Sequence, residues 1–229
     1  MNVSAQTAGS PPGSWLYWVL GFVGGYSDAA GFVLARAFTG HATGNLVLAA
    51  VATATADFRS ATIHFAAVVV FLIGVFLGAW TIHPLKPLRL SMVMTGELIL
   101  ILVSPLFLSA HLAGTQKFVL CVSLALGLQN GAFRRAGGIS VHTTYLTGMI
   151  TSLVSSKAEK YSSDQLRPVK PTYDPKVALI VQIWIAFILG AISGAAATFH
   201  FKQWAMLGIV MILLVVILLH STNERPASN

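Results

Sequence analysis

The sequence predicts an all-α integral membrane protein with about six transmembrane helices. Of its 229 residues, 55% are hydrophobic and only 9% are charged, whereas soluble domains carry roughly 25% charged residues. Six apolar runs also approach the roughly 17–25 residues that a helix needs to cross a bilayer. They cover 15–34, 63–82, 90–108, 118–133, 177–199 and 204–219. A soluble fold could not cover its surface with so few charges, so soluble classes are excluded.

Two further segments, 39–56 and 140–156, fit neither a transmembrane helix nor a loop. Both begin with His, Thr and Gly and become more apolar later. Polar or irregular backbone is stable at membrane depth only when it is buried in protein or lines a wet cavity. We therefore predict two re-entrant or half-helical segments inside the bundle. The alternative is a pair of surface helices, although neither segment has the Lys-rich polar face typical of those.

An internal repeat supports this arrangement. "FLIGVFLGA" at 71–79 matches "FILGAISGA" at 187–195, and "GYSD" at 25–28 matches "GLQN" at 127–130 in the same order along the chain. The single domain, 15–221, then consists of repeat 1 (about 15–110) and repeat 2 (about 117–221), with tails at 1–14 and 222–229. Three crossings per half predict two 3+3 inverted repeats, as in many secondary transporters. The alternative is eight helices in two parallel repeats.

The basic residues predict the orientation. With six crossings, ten Lys and Arg fall on one side and four on the other, whereas eight crossings give eight and six. Because basic loops stay in the cytoplasm, the six-helix arrangement is preferred, with both termini cytoplasmic. The net charge of +7 is explained in this way, and no nucleic-acid partner is expected.

Two acids at membrane depth are the candidate proton-coupling residues. Asp28 lies about fourteen residues into the first span, and Glu97 lies in the third. An ionised carboxylate there costs at least a few kcal/mol, so it must pair, face water or stay protonated. The alternatives are an Asp28 carboxylate bonded to backbone freed by nearby glycines, and an internal ion pair for Glu97.

The two Thr-Gly segments would meet near the midplane and form a substrate site, with half-helix ends adding partial charge. The candidate substrate-binding residues are Asp28, Thr43, Asn45, Gln129, Asn130, Thr144 and Thr147. Asn130 occupies the repeat position of Asp28, so the two halves differ in charge there.

Other motifs have simpler interpretations. Arg134 and Arg135 could hold an anion or orient the protein. The glycine pairs Gly74/Gly78 and Gly190/Gly194 predict close helix packing. No His-x₃-His or Cys pair is present, so neither a metal nor a cofactor is expected. Catalytic motifs are also missing from the sequence, which disfavours an enzyme, although an intramembrane enzyme built on Asp28 and Glu97 stays open.

The motifs "GYSDAAGF", "TGHATGN" and "GLQNGAFRRAGGISVHTTYLTG" resemble the YoaK-like family of bacterial integral membrane proteins, a domain of unknown function. The resemblance extends from about Trp15 to Leu219. It implies about six membrane helices and a location in the bacterial inner membrane, but no established substrate.

Together these observations predict an uncharacterised small secondary transporter or permease for a small polar solute, with proton coupling through Asp28 and Glu97. The expected partners are the lipid bilayer and that solute, and self-association stays open. A channel-like pore and a non-transporting scaffold or sensor are the alternatives.

Overall fold

The structure is a computed structural model that describes residues 14–82, 90–108, 112–133, 135–136, 139–140, 146–163 and 175–223. Eight α-helices make up most of it: α1 (Ser14–Ala35), α2 (Ala42–Ala54), α3 (Phe58–Thr81), α4 (Leu90–Val103), α5 (Leu112–Ala132), α6 (Leu146–Ser163), α7 (Pro175–Phe201) and α8 (Met206–Asn223). Short 3₁₀ turns follow α4 and α7, at Ser104–Phe107 and Lys202–Ala205. The predicted all-α class is therefore observed, with one small addition. Two two-residue strands, β1 (Arg135–Ala136) and β2 (Ile139–Ser140), pair antiparallel between α5 and α6.

Four segments of the described chain are long and apolar enough to cross a membrane. They are Trp15–Ala35, Phe58–Thr81, Leu90–Phe107 and Val177–Leu219. The last is 43 residues long and covers most of α7 and most of α8. α5 covers the predicted fourth crossing but is not among the four. These helices fit a membrane protein, while length and composition alone leave the number of crossings open.

α2 is a short helix inside the first of the two segments with unusual polarity. Its 13 residues extend about 20 Å at 1.5 Å per residue, less than the roughly 30 Å of a bilayer core. The chain then reverses within three residues. Ala56 adopts a left-handed conformation (φ 59°), and the carboxylate of Asp57 accepts a hydrogen bond from the Ser60 N–H at 3.1 Å. This contact caps α3, because the first N–H groups of a helix have no partner within it. α2 and α3 therefore form a tight helical hairpin.

Glycines allow two pairs of helices to touch backbone to backbone, and the first pair consists of α1 and α7. A Cβ added to Gly25 of α1 would lie 2.0 Å from the Phe187 carbonyl oxygen of α7. Real Cβ atoms do not approach carbonyl oxygens so closely, so this position requires glycine. The close approach adds dispersion contacts and weak Cα–H···O contacts.

Both glycines of the pair Gly190/Gly194 on α7 take part in the same contact. A Cβ on Gly190 would lie 2.1 Å from the carbonyl oxygen of Phe22, and one on Gly194 would lie 2.4 Å from that of Tyr26. The two glycines are four residues apart and therefore lie on the same face of the helix. The close packing of α7 against α1 thus extends over more than one helical turn.

The second glycine-lined pair consists of α3 and α5. A Cβ on Gly78 would lie 2.2 Å from the Leu128 carbonyl oxygen, and one on Gly131 would lie 2.1 Å from that of Val75. Gly74 likewise packs against Gly127. Each pair therefore joins one helix from the first half of the chain to one from the second.

The contacts also give the relative directions of the helices. Gly21 faces Ile183 and Gly25 faces Phe187, so α1 and α7 run parallel. In the same way, residues 71 and 75 of α3 lie against residues 127 and 131 of α5, so α3 and α5 run parallel.

α1 and α5 run in opposite directions. The Gln129 side chain donates a hydrogen bond from Nε2 to the Leu20 carbonyl at 3.1 Å, and the ring of Tyr17 packs edge-on against Phe133. Along the axis that the two helices share, residue numbers increase on α5 in the direction in which they decrease on α1. α3, being parallel to α5, is antiparallel to α1.

The apolar core lies between α1, α4, α5 and α8. Its fully buried side chains include Leu20, Met94, Phe118, Leu126 and Leu213. Large apolar side chains also cover the outer faces of α3, α7 and α8, for example Phe76, Ile192 and Leu218. Such a surface is stable in contact with lipid, where exposure of apolar groups has no cost.

Candidate functional site

The candidate site is built around Asp28, which lies on α1 seven residues before the helix ends. Its side chain is almost completely buried. Oδ1 accepts hydrogen bonds from the backbone N–H groups of Thr39 and Gly40, both at 2.8 Å. The Thr39 hydroxyl lies 3.4 Å from the same oxygen. The Asp28 carboxylate therefore satisfies two backbone donors of the non-helical loop 36–41.

The other carboxylate oxygen of Asp28 contacts the Nδ1 atom of His41. The His41 side chain is 37% exposed, whereas that of Asp28 is 5% exposed. The imidazole also packs between the rings of Phe38 and Phe187. An acid inside the bundle is thus paired with a base that reaches its surface, which is an arrangement suited to proton exchange.

A second polar side chain holds the same loop from the other end. Asn45, on the first turn of α2, donates from Nδ2 to the Phe38 carbonyl at 2.7 Å and accepts the Phe38 N–H at 3.0 Å. Its Oδ1 also lies 3.4 Å from Nδ1 of the buried His64 on α3. Asp28 and Asn45 together satisfy irregular backbone whose polar groups would be costly to leave unpaired inside the bundle.

Small residues let the loop lie beside α1. A Cβ on Gly31 would come within 2.7 Å of the Thr39 methyl group, and one on Gly44 within 2.8 Å of the Phe38 ring. The glycines of "DAAGF" and "TGN" therefore leave the space that the returning loop occupies. The motifs "GYSDAAGF" and "TGHATGN" thus form a helix, a loop and the start of a second helix, packed around one carboxylate.

The remaining substrate candidates do not converge on Asp28 in the described residues. Thr43 and Thr147 are exposed on α2 and α6. Gln129 and Asn130 are buried on α5, where Asn130 donates to the Leu126 carbonyl of its own helix at 2.8 Å. Thr144 and Arg134 lie outside the described residues. Arg135 belongs to β1, and its side chain is likewise not described.

Glu97 has a different environment from Asp28. It is completely buried on α4, and neither carboxyl oxygen has a hydrogen-bond partner among the described residues. The internal ion pair considered for Glu97 is thus not formed with any described side chain. The hydroxyl groups of Ser27 and Ser123 are also buried without a partner in this part of the structure.

The sequence reasoning missed His41, His64 and the loop N–H groups as parts of the site. The position of His41 in the polar start of the predicted segment 39–56, two residues before the Thr-Gly pair at 43–44, was the available signal for it. Of the two roles considered for Asp28, the geometry matches the carboxylate bonded to backbone, but its donors belong to Thr39 and Gly40 rather than to the glycine-rich part of α1. In the described residues, no group of three His, Cys, Asp or Glu side chains could hold a metal ion.

Comparison with known proteins gives a family but no activity. A family model described as "Protein of unknown function (DUF1275)" matches residues 16–219, almost the whole chain. Searches of curated proteins and of solved structures found no match. The resemblance to YoaK-like proteins is confirmed, since that family includes them. The chain with the Asp28 site therefore belongs to the DUF1275 family of proteins of unknown function.

Proposed function

We propose that this protein is a small permease for a small polar solute, coupled to protons through the contact between Asp28 and His41. The observation that carries the proposal is the position of this pair. Asp28 is a buried acid in the interior of a membrane-length helix, and its carboxylate accepts hydrogen bonds from an irregular loop. That loop leads directly into a half-length helix. Broken helices of this kind form the solute and ion sites of many secondary transporters.

The proposed topology has six crossings in two inverted repeats, with α2 and α6 re-entrant. The helix directions support it. Since α1 and α3 are antiparallel, α2 must return to the side from which the chain entered, and a full crossing would make them parallel instead. α5 corresponds to α1 in the repeat and runs in the opposite direction, as inversion requires. Both termini are proposed to be cytoplasmic, by the bias of basic loops, in the inner membrane of a bacterium.

In the proposed cycle, the protonation state of Asp28 determines whether the loop 36–41 is held against α1. While its carboxylate accepts from Thr39, Gly40 and His41, the loop is closed against α1. Protonation removes the charge that strengthens these hydrogen bonds and frees the loop to move. Asn45 would stay with the loop, because its side chain both donates to the Phe38 carbonyl and accepts the Phe38 N–H.

One observation favours a second candidate, a non-transporting scaffold or sensor. Asp28 and Asn130 are both buried, and both make hydrogen bonds inside the protein. A structural carboxylate would have these features too. The two candidates differ in whether the carboxylate must exchange protons with water during function.

The test is transport by purified protein in vesicles loaded with the pH-sensitive dye pyranine. Neutral polyols, amino acids and small carboxylates are added in turn, with and without a pH gradient. A permease moves at least one solute class together with protons, and Asp28→Asn abolishes the coupled movement. Asp57→Asn is the matched control, because Asp57 is the exposed cap of α3. No solute movement across the panel, or full coupling in Asp28→Asn, would refute the proposal in favour of the scaffold.

A further inference from the structure

The interior of this protein contains polar groups that no described residue satisfies. They are both oxygens of Glu97 and the hydroxyl groups of Ser27 and Ser123. All three side chains are completely buried. Buried polar groups nearly always have a partner, either in the protein or in ordered water, and each one left without a partner costs about 1–3 kcal/mol. Three such residues in one small bundle therefore require an explanation.

The three residues border the same apolar core. Ser27 lies on α1 between Val23 and Ala30, and Glu97 lies on α4 between Met94 and Ile101, at spacings of three or four residues. Ser123 lies on α5, three residues before Leu126. All of these neighbours belong to one cluster of buried side chains. Residues three or four apart share a helix face, so the three polar groups face the space that these helices enclose.

The helix registers order these groups along the membrane normal. The contacts of Leu20 with Gln129 and of Tyr17 with Phe133 put Ser27 level with Ser123 on the antiparallel pair α1 and α5. Gly96 lies beside the Leu128 side chain, so Glu97 is near the level of Gln129. Ser123 precedes Gln129 by six residues, or about 9 Å.

Of the three polar groups, Ser27 lies beside the candidate site. Ser27 is adjacent to Asp28 in sequence, and its carbonyl accepts the Thr39 hydroxyl at 3.2 Å. The same hydroxyl lies near the Asp28 carboxylate. Glu97 is seven residues from the start of α4, and Asp28 is seven residues from the end of α1. In the proposed topology these helix ends lie on opposite sides of the membrane, so an acid stands about 10 Å from each surface.

We propose that Glu97, Ser123 and Ser27 line a file of bound water that carries protons through the bundle core to Asp28. Water supplies the missing hydrogen bonds, since a buried water molecule typically makes two to four. The role of the file in proton coupling rests on the proposed permease function, but its existence does not. It gives protons a route from the side of Glu97 to the Asp28–His41 pair.

Silver ions test for the file directly, because they are small enough to enter narrow hydrated paths and they bind thiols. Cys121 is the only cysteine, so Cys121→Ala provides a background without thiols. Ser27→Cys and Ser123→Cys are introduced singly into it, with Ser104→Cys as the matched control. Ser104 is equally buried, but its hydroxyl already donates to the Ile101 carbonyl at 2.9 Å. After Ag⁺ treatment of membranes, the thiols still free are labelled with a maleimide dye in denaturant.

We expect Ag⁺ to block the cysteines at 27 and 123 at least severalfold faster than the one at 104. Equal rates at all three positions would overturn the water file, whether or not the protein transports a solute. A second measurement, on alanine variants, tests the proposal if the cysteine variants fold poorly. Where the unmodified protein moves a solute together with protons, Ser123→Ala should lower that movement severalfold and Ser104→Ala should not, and equal effects would overturn the file as the proton route. Fast Ag⁺ reaction without any solute movement would keep the file and refute the permease.

Discussion

α1 and α4 each bury an acid, and each has a glycine close to that acid, yet the two helices are packed in different ways. On α1, Gly25 has no room for a Cβ, and Asp28 is surrounded by donors. On α4, a Cβ on Gly96 would lie in ordinary contact with the Leu128 side chain, at 3.8 Å, and Glu97 has no partner among the described residues. Both acids are almost fully buried, so burial does not distinguish them. The difference arises because a polar loop returns beside α1 and donates hydrogen bonds to Asp28, whereas no described loop or side chain donates one to Glu97.

The largest expected effect comes from removing the carboxylate of Asp28. Asp28→Ala leaves the Thr39 and Gly40 N–H groups and His41 without their acceptor, and each buried donor left unpaired costs about 1–3 kcal/mol. Asp28→Asn keeps one acceptor oxygen and should lose less. Thermal melting of the purified protein in detergent measures both variants. The contrast with α4 would be broken if Glu97→Gln, which keeps the side-chain volume, lowered the melting temperature as far as Asp28→Asn.

A smaller effect is expected at the two glycines. Gly25→Ala forces α1 away from the Phe187 carbonyl, and such overpacking costs about 1–3 kcal/mol. Gly96→Ala is the matched control on α4. It has space for the methyl group and should be neutral or stabilise the helix by about 0.5–1 kcal/mol. The melting temperature of Gly25→Ala should therefore fall, whereas that of Gly96→Ala should stay unchanged or rise, and a loss at Gly96 equal to that at Gly25 would contradict the packing described for α4.

The smallest effect on stability is expected from replacing Glu97 with an apolar side chain of similar length. Glu97→Met removes a carboxyl group with no partner among the described residues and keeps most of the volume, so stability should change by about 1 kcal/mol or less. Proton-coupled solute movement should be lost in the same variant. A melting temperature that falls as it does in Asp28→Ala would show that Glu97 has a structural partner after all.

The positions of the helices could be predicted from the sequence because they depend on local patterns. Apolar runs bounded by polar residues predicted helices close to those observed, and the Thr-Gly start of the segment 39–56 predicted a half-length helix. The partners of Asp28 could not be predicted in this way. Its main donors are backbone N–H groups, which every residue except proline carries. Residue type therefore does not identify Thr39 and Gly40 as the hydrogen-bond donors to Asp28.

The sequence by itself determined that this is an apolar, helical chain with an acid inside its first helix, because hydrophobicity and charge are properties of each residue. Only the tertiary structure decided which helices meet and which acid is satisfied. The pairing of α1 with α7 and of α3 with α5 joins residues more than forty positions apart. It depends on two surfaces fitting together, and a glycine pair on one helix does not specify its partner. For the same reason Asp28 and Glu97 look alike in the sequence, and the structure separates them by the loop that one contacts and the other does not.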